Sequence, residues 1–394
     1  MPYNWRKLMK SRSVVAAALT AAVFGISLSA LTPTDAAAKR LKAAVGLATS
    51  SAQYFAFERF AEYVAENSDV KIKVFSMSLL NLKETPPGIR DGIADMGFVL
   101  PPYYPAEYAE NNLVANLSML STTGEQVESP GAAMAGATSE YTYFHCPECL
   151  AEYKKENQIY LGTGASPTYI MLCTKPVRTL EDLKGKKYRS GAANFGRWAE
   201  YFGGIKVSMP GNDIYEALGQ GVLDCAMLSA TELTNLSLFD LVTHVTRRIP
   251  GGVFSGVATN NVNVDTWRSM TTEQRAVFLK GAAKINADLT WKYYADAKKN
   301  LDDSPAKGVE VIEPGPEIMA KSDEFVKADL AVIAQQFKDD YGLTNVEAKI
   351  EKITELVNKW KKLTADIADD PDALAKLYWD EVFSKIDPAT FGMN

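Results

Sequence analysis

The stretch "IYEALGQGVLDCAML", Ile214 to Leu228, decides the fold. It runs a short helix carrying Ile214 and Leu218 into an apolar strand introduced by Val222-Leu223-Asp224. A second stretch, "IRDGIADMGFVL" from Ile89 to Leu100, follows the same plan, with Asp95 in the place of Asp224. The two strands end at Val99-Leu100-Pro101 and at Leu228-Ser229. Two α/β units on one plan predict two lobes facing each other. The repeat is short, so chance similarity between α/β units stands as the competing explanation.

Upstream, Leu41–Leu47 reads as a strand, Phe57, Phe60, Ala61 and Val64 recur at helical spacing, and Lys71-Ile72-Lys73-Val74 alternates like a half-exposed strand. The loop expected after the first strand, "ATSSAQYF", is small and polar apart from Tyr54 and Phe55, a composition that suits the carboxyl end of a strand meeting a ligand and equally a plain turn. Further on, strands are expected at Ile159–Leu161, Tyr169–Cys173, Lys187–Arg189 and Ile205–Met209. A helical turn is expected at Leu180–Leu183, a helix at Asn194–Phe202, and an Asn212/Asp213 cap before the helix of Ile214. The alternation predicts parallel sheets covered on both faces. From Thr271 the pattern turns helical: Thr271 and Gln274 fit a capping box, a long helix runs to Asn300, and beyond Pro316 Ile350, Ile353, Val357 and Trp360 share one face.

The first residues predict a cleaved export signal. Arg6, Lys7, Lys10 and Arg12 form a basic head, Val14 to Leu31 is mostly apolar, and Ala36, Ala37 and Ala38 supply small residues for cleavage near Ala38. A retained anchor is the alternative, but the run is short for one and ends in Pro33 and Asp35. Loss of residues 1–38 takes the net charge from −6 to about −9. That argues against nucleic acid or an anionic membrane as partner, and an anionic ligand would need a local cation to hold it.

Cys146 and Cys149 are the one close cysteine pair. A local disulfide is the first reading; zinc would need more histidine than His145 and His244 provide, and a thiol oxidoreductase would need a thioredoxin-like setting. Cys173 and Cys225 read as small core residues in apolar strands. No nucleophile elbow and no phosphate-binding glycine motif is present, and two histidines supply little acid–base chemistry. The expectation is therefore a binding protein with no enzymatic activity, cofactor or metal.

Within "GKKYRSGAANFGRW", Gly185 to Trp198, Arg189 ends a strand and is followed by Ser190, Gly191, Ala192 and Ala193. A guanidinium is a permanent planar fork that matches a carboxylate in two parallel hydrogen bonds, and small neighbours would let a ligand reach it. The competing explanation is an arginine paired to a protein carboxylate.

"SAQYFAFERFAEYVAENSDVKIKVF" (from Ser51), "GIRDGIADMGFV" (from Gly88), "RTLEDLKGKKYR" (from Arg178), "SMPGNDIYEALGQGVLDCAM" (from Ser208) and "VNVDTWRSMTTEQR" (from Val262) together resemble the extracytoplasmic solute receptors of tripartite ATP-independent periplasmic (TRAP) transporters, the C4-dicarboxylate-receptor type. The resemblance covers almost all of the chain after the leader, in order. It implies an α/β, two-lobed periplasmic-binding-protein fold of type II-like form, with a helix-rich C-terminal part bracing both lobes. The expected division is residues 1–38 as signal peptide, 39–162 plus 250–285 as lobe I, and 163–249 plus 286–394 as lobe II with the C-terminal helices. The implied function is a periplasmic receptor, monomer or weak dimer, that closes on a small organic acid and delivers it to membrane permease subunits. A receptor for an ATP-driven importer, a periplasmic sensor, and a redox protein using Cys146 and Cys149 are the alternatives.

The resemblance further implies that Arg189 binds the ligand carboxylate, and that the pocket draws on Ser51 to Tyr54 (including Gln53), Phe98 and Val99, Gly191 and Ala192, Leu228 and Ser229, and the region of Phe254 and Asn263. Asn212 joins this set. The chain departs from the family where Val-Pro often follows the arginine, here Ser190-Gly191, and where some members carry a second arginine, here Gly162-Thr163-Gly164-Ala165. Arg90 and Arg197, on expected helices, read as solvated. With no second cation, and with Tyr54, Tyr103, Tyr104, Tyr169, Trp198 and Phe254 nearby in the pattern, the ligand expected is an apolar, aromatic or quaternary-ammonium monocarboxylate rather than a dicarboxylate.

Overall fold

The two repeated segments fold alike because each places one aspartate against the backbone of a neighbouring strand. A computed structural model describes residues 39–367 and 369–394; the export signal expected over residues 1–38 lies outside the described residues. In the first unit, helix Thr85–Arg90 leads through Gly92, in the left-handed region at φ 74°, to strand Met96–Val99. In the second, helix Ile214–Gly219 leads through Gly221, at φ 69°, to strand Cys225–Leu228. Asp95 exchanges two bonds with Lys42, its N–H donating to the Lys42 carbonyl and its Oδ2 accepting the Lys42 N–H at 2.8 Å. Asp224 does the same with Lys187, its Oδ2 accepting at 3.0 Å. Each aspartate thus fixes the register of the strand after it.

The described strands are β1 (Arg40–Ala44), β2 (Lys71–Phe75), β3 (Met96–Val99), β4 (Gln158–Ile159), β5 (Ile170–Cys173), β6 (Lys187–Ser190), β7 (Ile205–Ser208), β8 (Cys225–Leu228), β9 (His244–Thr246), β10 (Ala258–Asn263) and β11 (Glu310–Ile312). They form two sheets, in the orders β2-β1-β3-β10-β4 and β11-β9-β5-β8-β6-β7. The expectation of parallel sheets needs correction: β10 runs antiparallel to β3 and β4, and β5 runs antiparallel to β8 and β9. Both arrive from the other sheet, β5 after β4 and β10 after β9, and so enter against the local direction. Their connecting segments run side by side, with a bridge between Thr168 and Val253 and bonds from Tyr169 N–H to the Gly252 carbonyl (2.9 Å) and Ser166 N–H to the Phe254 carbonyl (3.1 Å).

Each sheet has its own apolar core. Leu41, Phe57, Phe60, Met96 and Phe278 are buried on the first, and Leu172, Tyr188, Phe195, Trp198 and Met227 on the second. Two long helices join them. Helix Thr272–Asp303, started by the expected Thr271/Gln274 capping box, buries Phe278 in the first core and Ala297 in the second. Helix Pro316–Tyr341 buries Ile318 and Phe325 in the second core and Ile333 and Phe337 in the first. Helix Val346–Leu363 then lays Ile350, Ile353, Val357 and Trp360 on helix Pro130–Phe144, each such side chain contributing ~1.5–3 kcal/mol of apolar burial. The helix-rich end therefore braces both sheets.

Two further expectations change. Cys173 and Cys225 are buried, but they are also disulfide-bonded, because β5 and β8 place them directly opposite one another. Cys146 and Cys149 form the local disulfide. Arg197 is not solvated: its Nε and Nη2 donate to Asp329 at 2.7 and 2.8 Å, and further bonds reach Asn116 Oδ1 and Gln336 Oε1, both at 3.1 Å. It ties helix Ala193–Tyr201 of the second sheet to helix Ala109–Asn116 of the first. Arg90 is exposed and pairs with Asp91 and Glu156.

Candidate ligand cavity around Arg189

Arg189 lies on β6, in register with Val207 on β7 and Ala226 on β8, and is only 2% exposed. Its Nε donates to the Met209 carbonyl at 3.1 Å and its Nη2 to the Tyr103 hydroxyl at 3.2 Å. No carboxylate oxygen lies within 4.0 Å of it among the described residues, and Nη1 has no hydrogen-bond acceptor there. A buried cation without a counter-ion is costly unless something anionic reaches it.

The guanidinium lines a cavity between the two sheets. Leu47, Leu82, Phe98 and Leu100 come from the first sheet's side; Leu228 and Leu236 come from the second. Tyr169 and Phe254, on the two connecting segments, stack with ring centroids 6.0 Å apart and form one wall. A smaller space, lined by Gly164, Ala165 and Ser166, shares Phe98, Tyr169 and Phe254 with it. Arg189 is the only cation lining either among the described residues.

Tyr103 and Asn212 link the two sides. The Tyr103 hydroxyl, besides meeting Arg189, accepts the Gly211 N–H at 2.9 Å. Asn212 was expected to cap the helix of Ile214, but its side chain makes no cap bond. Instead Oδ1 accepts the Leu82 N–H and Nδ2 donates to the Gly46 carbonyl, both at 3.2 Å. The first sheet's loops offer free backbone groups, so the amide joins the two sides rather than its own helix.

Gly191 and Ala192 line a second, outer cleft that shares Tyr103 with the inner cavity. Gly191 serves the arginine itself: a Cβ there would stand 2.8 Å from Nη1 and 2.9 Å from Nη2. The absent side chain at Gly191 thus makes room for the guanidinium.

Of the remaining expected residues, Gln53 lines the cavity, but from the first turn of helix Ala52–Asn67 rather than from a loop, since Ser51 caps that helix by accepting the Tyr54 N–H. Tyr54 faces away, beside Glu58. Ser229 is fully buried, outside the lining, with its hydroxyl unpartnered. Trp198 is corrected to the second core, where its Nε1 donates to Ser322 Oγ at 2.9 Å and its ring meets Phe202. Val99 pairs with Ala258 in the sheet. Asn263 caps helix Val264–Arg268, and the Tyr104 hydroxyl bonds the Lys83 carbonyl.

Sequence reasoning missed Glu232 and Tyr293. Glu232 opens the short helix Glu232–Asn235 just past β8, and its N–H donates to the Ser229 carbonyl at 3.2 Å. Burial pushes its carboxyl up to about 7, against the opposing pull of Tyr293, Arg189 and Asn235. Its place shortly after a strand's carboxyl end was the available signal. Tyr293, midway along a helix of 32 residues, gave none.

Comparison with known proteins places this architecture. The family model described as bacterial extracellular solute-binding protein, family 7 (DctP), matches residues 43–336. Among solved structures, a TRAP solute-binding protein from Rhodoferax ferrireducens T118, in complex with copurified benzoate, is similar with a TM-score of 0.71 at 16% identity, covering 83% of this chain and 99% of that one. A marine metagenome TRAP solute-binding protein specific for aromatic acid ligands gives 0.70 at 19%, covering 82% and 99%. DctP6 of Bordetella pertussis, a receptor binding pyroglutamic acid, gives 0.66 at 15%, covering 82% and 100%. At such identities these likenesses speak for the fold. A curated solute-binding protein of Albidiferax ferrireducens is 25% identical over 171 residues, and the match spans 43% of this chain and 48% of that relative's length. With three quarters of its length matched by the family model and both sheets in place around a buried arginine, the chain belongs to the bacterial extracellular solute-binding protein family 7, the DctP family.

Proposed function

We propose that this protein is the receptor subunit of a TRAP transporter, which captures a small organic acid between two lobes and hands it to membrane permease subunits. The lobes are the two sheets with their covering helices, and the paired segments around Thr168 and Val253 serve as the hinge. One observation carries the reading: the Arg189 guanidinium is buried on the cavity wall with no protein carboxylate within 4.0 Å among the described residues. A ligand carboxylate supplies the missing charge and at the same time touches both lobes, so binding favours the closed form. The ligand is a monocarboxylate, since the cavity holds one cation and mostly apolar walls. Relatives of the same fold bind benzoate and pyroglutamate, each with one carboxylate. The protein works in the periplasm, without catalysis, as a monomer or weak dimer.

The test is native mass spectrometry of the purified protein for a copurified acid, followed by a thermal-shift screen of mono- and dicarboxylates on wild type and Arg189→Ala. Monocarboxylates should raise the melting temperature of wild type alone. A rise of equal size in Arg189→Ala refutes the assignment.

A further inference from the structure

Besides the guanidinium, the same cavity holds a second polar pole that a simple apolar acid would leave unused. Glu232 is 8% exposed and lines both the main cavity and its smaller extension. No protein cation stands within 4.0 Å of its carboxylate among the described residues; the neighbours that pull on it are the Tyr293 hydroxyl, the Asn235 amide and, from farther off, Arg189. The groups around it are positioned by one another. Gln53 Nε2 donates to the Tyr293 hydroxyl, Asn235 Nδ2 donates to Gln53 Oε1 at 3.4 Å, and the Thr231 hydroxyl donates to the Tyr293 carbonyl at 2.7 Å. Asn235 Oδ1 is buried with no partner. This corner is therefore rich in acceptors, whereas the Arg189 end offers donors.

We infer that the ligand carries, in addition to the carboxylate held by Arg189, a hydrogen-bond donor that Glu232 receives. The inference rests on the receptor reading above and narrows it to a ligand class: a compact, ring-bearing monocarboxylate with a hydroxyl, ring N–H or ammonium on the side away from the carboxylate. The aromatic wall of Tyr169 and Phe254 lines the cavity that both poles share and suits a flat body. A dicarboxylate is disfavoured, because its second carboxylate could be accommodated only with Glu232 kept protonated. A donor-free acid adds nothing to what Tyr293 and Asn235 already supply to the Glu232 carboxylate, and sites built to accept a hydrogen bond discriminate strongly against analogues that lack the donor. The direction of the Glu232 shift agrees, since burial of the carboxyl outweighs the pull of Tyr293, Arg189 and Asn235.

Matched probe pairs test this by titration calorimetry: 3-hydroxybenzoate with benzoate, pyroglutamate with cyclopentanecarboxylate, and mandelate with phenylacetate. In wild type the donor-bearing member of at least one pair should bind tenfold tighter or better, equivalent to about 1.4 kcal/mol. In Glu232→Leu that preference should shrink to threefold or less while the donor-free member keeps its affinity, and Glu232→Gln, which retains an acceptor oxygen, should keep part of it. The apo melting temperature of Glu232→Leu should not fall, because a buried carboxyl is removed; Glu232→Gln carries the comparison if the leucine variant does not fold. Acids that bind in an Arg189-dependent way with no donor preference, or with one that survives Glu232→Leu, overturn this inference alone. Failure of every pair to bind, or affinities unchanged in Arg189→Ala, overturns the receptor reading along with it.

Discussion

Replacing Arg189 with alanine removes the fork and with it two charge-assisted hydrogen bonds to a ligand carboxylate, each contributing ~1.5–3 kcal/mol. The loss of ~3–6 kcal/mol weakens affinity by about a hundredfold to ten-thousandfold. At a ligand concentration a hundred times the wild-type Kd, binding stabilises the wild-type fold by ~2.7 kcal/mol, a rise of several degrees in melting temperature. In the variant the same concentration is at or below the weakened Kd, so the stabilisation falls to ~0.4 kcal/mol or less. The apo protein should barely change. It loses the bonds to Met209 and Tyr103, but it also loses a buried cation with no counter-ion. Arg189→Lys, which keeps the charge without the planar fork, should fall between the two. Thermal shift and titration calorimetry read both quantities, and a Kd for Arg189→Ala within threefold of wild type would refute the argument.

Four further outcomes are expected. Gly191→Ala places a Cβ 2.8 Å from Arg189 Nη1 and should push the guanidinium aside, weakening acid binding about tenfold or more with the apo melting temperature nearly unchanged; calorimetry of the variant checks it. Asn212→Ala removes both side-chain bonds to Gly46 and Leu82 and should shift the protein toward an open form, seen as a larger radius in solution scattering and an affinity a few-fold lower. Burial holds the Glu232 carboxyl at about 7, above the ~4.3 of an unfolded chain, so its contribution to apo stability is complete below that lower value and is lost as pH rises through 7; urea denaturation at pH 5 and 8 should show a smaller difference in Glu232→Gln than in wild type, with Glu152, also raised to about 7 by burial, supplying part of the remainder. Removing the Cys173–Cys225 disulfide, which spans 52 residues, should cost more than removing Cys146–Cys149, which spans 3, by the loop-closure estimate ~4 against ~2 kcal/mol; equal denaturation midpoints for the two double alanine variants would contradict this.

The parts of the molecule legible in sequence are those where one local rule governs. The Ile89–Leu100 and Ile214–Leu228 repeat, the Thr271/Gln274 capping box and the apolar face of Ile350 to Trp360 each depend on spacing within one element, and each is present. Arg189 and Gln53 at the cavity, and Tyr169 and Phe254 along its wall, were also named. Sheet direction was not legible, because β5 and β10 owe theirs to the sheet they come from. Trp198 illustrates a different limit: aromatic character alone does not separate a pocket wall from a core, and its helix turns the ring inward. Asn212 occupied a capping position, yet the Leu82 N–H and Gly46 carbonyl, distant in sequence, took its side chain. Glu232 was passed over because a lone carboxylate reads as solvated until the elements around it are assembled.

The position of β10 has a consequence for how the chain acquires its structure. This strand stands between β3 and β4 in the first sheet, yet it comes from residues 258–263, after most of the second sheet has been made. A nascent polypeptide ending before Ala258 therefore exposes the unpaired edges of Met96–Val99 and Gln158–Ile159 and lacks the long helix that covers Phe60. Vectorial synthesis cannot finish one half and then the other, and cooperative folding must wait until about three quarters of the polymer is free. Limited proteolysis of stalled chains should find protection appearing abruptly, beyond residue 303, rather than in two steps.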